Sequence, residues 1–169
     1  MVTAGVLAVL MAAGATTADA DGPAEEVSSY ASGSLARPEI ARFGDTFLKV
    51  YSDLQHLCDI GLIEHPGEAI NLVTVKRMQS AMTCIGLHYG GKMRKADFVF
   101  ADDILDLVII ETEADDQDSL RNGLIEQFGP PSISENGDTV FMDAGVLLRT
   151  DPHSVVFFSD RMKDWYGKF

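Results

Sequence analysis

The sequence predicts an α+β fold: antiparallel β-meanders with two main helices packed on the sheet and a short C-terminal helix. Three observations carry this. Two segments, 45–58 and 116–128, repeat their apolar residues at helical spacing. Each is followed by short runs of β-branched and aromatic residues broken by turn residues. The helices interrupt the strands twice instead of alternating with every strand, which is the α+β pattern.

Taken in order, Val6 to Ala15 is an apolar run and Ala18-Asp19-Ala20 is a small-x-small cleavage site. Residues 1–20 therefore read as a secretory signal, although the usual positive n-region is absent. The run is too short for a membrane span, which needs about 20 residues. A periplasmic or secreted protein with no membrane span in its mature form is expected. Asp21 to Pro38 is rich in Ala, Ser, Gly and Glu with no apolar period. That composition does not offset the entropy of ordering, so 21–38 reads as a disordered lead-in and 39–169 as a single domain.

In the first helix, Phe47, Val50, Tyr51, Leu54, Leu57 and Cys58 form one stripe, with Asp45 as a cap and Gly61 just past the end. Ala81 to Tyr89 alternates every second residue, and Gly90-Gly91 turns the chain. Ala96–Ala101 and Leu105–Thr112 read as a hairpin around Asp102-Asp103. Val108-Ile109-Ile110 is apolar on both faces, which predicts a central strand covered on each side. The second helix runs from Asp116 to Phe128 on Leu120, Leu124 and Phe128, with acids at its positive end and Gly129-Pro130-Pro131 as its stop. Strands at Thr139–Met142, Val146–Thr150 and Val155–Ser159 follow, then a terminal helix carrying Met162, Trp165, Tyr166 and Phe169.

The two cysteines, Cys58 and Cys84, are most simply paired in an exported chain, pinning the first helix to a strand. The alternative is a pair of buried free thiols.

Charge narrows the function. With 13 basic and 26 acidic residues the net charge is −13, which argues against coating nucleic acid. The asymmetry is sharp: between Glu68 and Asp97 there is no acid, yet Lys76, Arg77, Lys92, Arg94 and Lys95 lie there. Interleaved with His88 and Tyr89, they form a candidate site for an anionic envelope component or a protein partner. The competing reading is that these cations pair with the protein's own acids and protect a strand edge. Trp165 and Tyr166 are a candidate partner anchor.

Other constellations point nowhere specific. A calcium loop started at Asp118 has Asn122 and Gly123 in register but Leu120 at its third position and Gly129 where Glu is needed. His56, His65, His88 and His153 show no metal-ligand spacing, and no G-x-S-x-G or S-x-x-K is present. No catalytic residue, metal or cofactor is expected. The reading is a non-enzymatic binding module of the cell envelope. The alternatives are a secreted inhibitor using its acidic face, or a small hydrolase or metal-dependent enzyme.

Two resemblances accompany these residues. In element order the chain is similar to the tandem helix-plus-meander fold of secreted β-lactamase inhibitor proteins, a likeness of architecture alone. Cys58, Gln79 to Cys84, Phe98-Val99-Phe100-Ala101-Asp102-Asp103, Phe128-Gly129-Pro130-Pro131 and Val156-Phe157-Phe158-Ser159 resemble small exported bacterial proteins of unassigned activity. That likeness covers Phe43 to Ser159. It implies export and the disulfide, and it transfers no active site.

Overall fold

The structure is a computed structural model that describes residues 34–63 and 72–166. The predicted signal 1–20, the predicted lead-in as far as residue 33, His65 and Phe169 lie outside the described residues.

The first helix, α1 (Phe47–Leu54), is capped by Thr46, whose hydroxyl accepts the Lys49 N–H at 3.4 Å. Asp45 does not cap it; its carbonyl instead accepts from the Leu105 N–H. The helix stops four residues before Cys58, because Tyr51 and Leu57 are each 39% exposed and the buried stripe ends at Leu54. Residues 55–58 turn the chain into β1 (Asp59–Ile63). Sequence reading misses this strand and places Gly61 as a helix stop. Asp59 and Gly61 are poor strand formers, and it exists through pairing with β2 (Gln79–Tyr89), from Asp59↔Ile85 to Ile63↔Ala81. Cys58 and Cys84 are joined by a disulfide with Cα atoms 5.5 Å apart, which staples the α1–β1 turn to β2.

β2 and β3 (Lys92–Ala101) form a long hairpin. Simple alternation places Thr83, Ile85, Leu87 and Tyr89 on one face. The structure corrects this: Gly86, at φ +101°, forms a bulge between Ile85 and Leu87 that resets the pleat. Met82 and Cys84 before it and Leu87 and Tyr89 after it therefore share one buried cluster, and Ile85 is left 58% exposed on the opposite face.

β4 (Ile104–Glu111) is the central strand the sequence predicts, flanked by β3 and by β8 (His153–Phe158). Val108 and Ile110 enter one core cluster, Leu107 and Ile109 the other. A 3-10 turn (Ala114–Asp116) leads into α2 (Gln117–Phe128), which buries Leu120 and Leu124 and ends at Gly129. β5 (Ile133–Glu135), absent from the sequence reading, pairs with β6 (Asp138–Phe141). β7 (Val146–Thr150) and β8 complete the second meander, and α3 (Asp160–Tyr166) closes the described chain. The backbone of Trp165 and Tyr166 lies in α3; their side chains lie outside the described residues.

All eight strands make one antiparallel sheet in the order β1-β2-β3-β4-β8-β7-β6-β5. It is two four-stranded meanders joined at β4–β8, from Leu107↔Phe158 to Glu111↔Ser154. The fold is α+β, dominated by the sheet. One cluster unites Val50 and Leu54 of α1 and Leu120 and Leu124 of α2 with Phe98, Phe100, Val108, Ile110 and Phe157. The other gathers Val99, Leu107, Ile109, Val156 and Phe158 with Leu72 and with Met162 of α3.

Residues 34–38, which composition assigns to the lead-in, are packed at their apolar positions. Leu35 and Pro38 are buried, together with Ile40 and Ala41 just beyond. The reason is local: Leu35, Pro38 and Ile40 are the first apolar residues after a polar stretch, and together they reach the core.

Candidate functional site

The cations of the acid-free stretch are sorted by the hairpin that carries them. Lys76 and Arg77 lie on the loop that enters β2, and Lys92, Arg94 and Lys95 lie on β3 beyond its turn. Lys92 stands opposite Tyr89 and Lys95 opposite Ile85, so at ~3.3 Å per residue the β3 cations lie roughly 20 to 33 Å along the hairpin from its Gln79 end. The segment is one patch in sequence and two in space.

The β3 group is neutralised internally. Lys92 donates to Glu113 and to Asp116 at 3.1 and 2.7 Å, and Arg94 donates to Asp116 at 2.8 Å. Lys95 pairs with Glu111 at 2.5 Å and faces Asp97 at 4.0 Å. Asp116 occupies the N-cap position of α2 but makes no side-chain cap; its oxygens serve the two cations instead. The Lys92 ammonium and, next, the Arg94 guanidinium hold its carboxyl below the usual value, while Asp116 and Glu113 raise Lys92 and Glu111 raises Lys95.

Two further candidates are not at the surface. Tyr89 is 3% exposed and its hydroxyl donates to the Leu35 carbonyl at 2.9 Å; burial pushes its phenol upward. Arg94 is 7% exposed and also donates to the Tyr89 carbonyl at 3.1 Å. Both brace the fold where sequence reading has them touching a ligand. The bulge at Gly86 and the reach of α2's first turn decide this, and neither is visible in spacing. His88 is exposed, opposite Met93 across the ladder.

Lys76 and Arg77 are different. Both are exposed, and among the described residues neither enters an ion pair within 4 Å. Their loop is held rigidly by two aspartates. Asp102 accepts the backbone N–H groups of Lys76, Arg77 and Met78 at 3.1, 2.8 and 2.9 Å, and its own N–H donates to the Met78 carbonyl at 2.8 Å. Those bonds, Met78's first, lower its carboxyl, and the Arg77 charge adds to them. Asp106 is fully buried at a bulge in β4, and accepts the hydroxyls of Thr74 at 2.6 Å and Ser159 at 2.7 Å, with Arg161 at 3.4 Å. Val73 and Met78, 51% and 58% exposed, flank the cations. Sequence reading has Asp106 only as one of the dense acids from Asp102 to Asp118 that could hold Ca²⁺; the signal of its buried role is a lone carboxylate inside the apolar run Leu105 to Ile110, which needs built-in partners.

At the β5–β6 hairpin a shallow cleft of about 380 Å³ is lined by Arg121, Ile125 and Pro131. Arg121 donates to Thr139, Asp118 and the Gly137 carbonyl, so it is committed to structure. Among the described residues no group of His, Cys, Asp and Glu is arranged to hold a metal ion. Among them too, no helix is long and apolar enough to cross a membrane.

These features define a disulfide-stapled α+β protein whose charge is paired at one end of a hairpin and presented at the other. The chain belongs to a family described as "Uncharacterised protein", which matches residues 41–161. No curated protein and no solved structure matches it.

Proposed function

We propose that this chain is an exported, non-enzymatic binding module of the cell envelope that engages an anionic group through the loop of residues 72–78. The observation that carries the reading is the sorting of charge: Lys92, Arg94 and Lys95 sit in ion pairs, while among the described residues Lys76 and Arg77 enter none within 4 Å. A loop pre-set by Asp102 and Asp106 loses little freedom on binding, so two cations suffice for a weak, salt-sensitive contact. Export is supported by the intact Cys58–Cys84 disulfide, since such bonds persist in oxidising compartments.

The test is retention on vesicles bearing a phosphorylated lipid and on an immobilised acidic glycan. Each exposed cation near an anionic surface contributes about 1 kcal/mol, so Lys76→Ala with Arg77→Ala should weaken binding roughly thirty-fold at low salt. Lys95→Ala should leave it unchanged, because Glu111 already neutralises that side chain. Equal retention of the double variant and the wild type sinks the reading.

A further inference from the structure

The packed segment 35–41 behaves as a ligand that the chain supplies to itself. Leu35 sits in a notch whose walls are glycines: a Cβ on Gly123 of α2 would lie 2.5 Å from Leu35 Cδ1, and one on Gly90 would lie 3.1 Å from Leu35 Cδ2. The notch is shaped for a branched side chain and would be filled by any residue larger than glycine at 123. Tyr89, buried behind it, donates its hydroxyl to the Leu35 carbonyl. From there the strap crosses the sheet to Gly44, whose N–H meets the Leu105 carbonyl near the opposite end of the strands. Leu35, Pro38, Ile40 and Ala41 point inward, while Arg37 and Glu39 point out.

Two facts separate the strap from the body. It forms no strand pairing before residue 46; among the described residues its ties to the body before Gly44 are side-chain burial, the Tyr89 bond and the attraction between Arg37 and Asp160 of α3. The family match begins at Ala41, so Leu35, Pro38 and Ile40 lie outside the matched residues. The apolar notch is thus filled by residues that precede the matched segment.

We propose that the notch is a binding site for an extended Leu-x-x-Pro-x-Ile segment, filled in cis by the chain's own strap and accessible in trans to the strap of a second copy. The cis strap competes at an effective concentration in the millimolar range, so the site opens only when the strap is released. This inference is independent of the cation loop.

The probe is a fluorescent synthetic peptide spanning residues 34–42, titrated into the full chain carrying Leu35→Asp. Saturable binding to this variant is expected, at least ten-fold tighter than to the wild type, with a scrambled peptide inactive. Adding Gly123→Ala should abolish it, since the new methyl occupies the place of the leucine. Three results overturn the proposal: no binding by a Leu35→Asp chain with native circular dichroism, binding that ignores Gly123→Ala, or failure of Leu35→Asp to fold. The last would make the strap an integral part of the core.

Discussion

Asp102 and Asp103 stand at φ +52° and +72°, the two central positions of a two-residue hairpin that usually demands Asn or Gly. Both pay the backbone strain of a left-handed L-residue, yet they differ in what holds them. Asp102 offsets it with three N–H groups; the Asp103 side chain is exposed and has no such bonds among the described residues. Glycine at the two positions should therefore have opposite effects. Asp103→Gly should raise stability by up to about 1 kcal/mol, as the relieved strain outweighs the greater chain entropy of glycine. Asp102→Gly should lower it, because the loop amides lose their acceptor; urea midpoints of the two variants check the signs. A pH dependence follows from the lowered carboxyls of Asp102 and Asp116. Their stabilising effect is complete above the unfolded carboxyl value, about pH 4, and is lost as pH falls through the lower folded values. Asp116→Asn should thus destabilise at pH 7 and have little effect at pH 2, read from urea unfolding at both. The turn itself is legible in sequence from Asp102-Asp103; the service Asp102 renders to residues 76–78, some 25 positions away, is not.

Elements were legible where the local pattern is strong. The α1 stripe as far as Leu54, the doubly apolar β4 run and the Gly129-Pro130-Pro131 stop all follow from it. β5 escaped because three residues are too few to show alternation, and β1 because its short run is broken by Gly61, which reads as a helix stop. β2 shows the opposite failure: its alternation is real, but Gly86 shifts its phase midway. Gly86→Ala forces an alanine to φ +101° while meeting only the Met93 methyl at 3.4 Å. Its cost should therefore be conformational, about 1–2 kcal/mol, and Met93→Ala should not rescue it; thermal unfolding of the two variants decides. The disulfide acts on the same hairpin from the other side. Its cysteines are 26 residues apart, so replacing both by serine should cost about 3.5 kcal/mol on the chain-entropy account. Hydrogen exchange should rise first in β1, the edge strand beside Cys58.

At the scale of the whole molecule, sequence order shows helix, meander, helix, meander but not how the halves meet. That depends on β4 pairing with β8, whose partners lie between 43 (Glu111↔Ser154) and 51 (Leu107↔Phe158) positions apart. The hint was the doubly apolar Val108-Ile109-Ile110, which can only be satisfied by strands on both sides and cover on both faces. The seam makes the two meanders share one core: Phe98 and Phe100 from the first and Leu148, Val155 and Phe157 from the second lie in a single cluster with Ile110. A shared core leaves neither half with a folded partner once the other melts. Unfolding of the oxidised protein in urea should therefore be a single transition, with coincident midpoints from far-ultraviolet circular dichroism, dominated by the sheet, and from fluorescence of the only tryptophan, Trp165. Ile110→Ala, which opens a cavity at the seam, should cost about 2–5 kcal/mol and move both midpoints together without changing the denaturant slope. If the halves were independent units placed side by side, the probes would separate and the substitution would shift the circular dichroism alone.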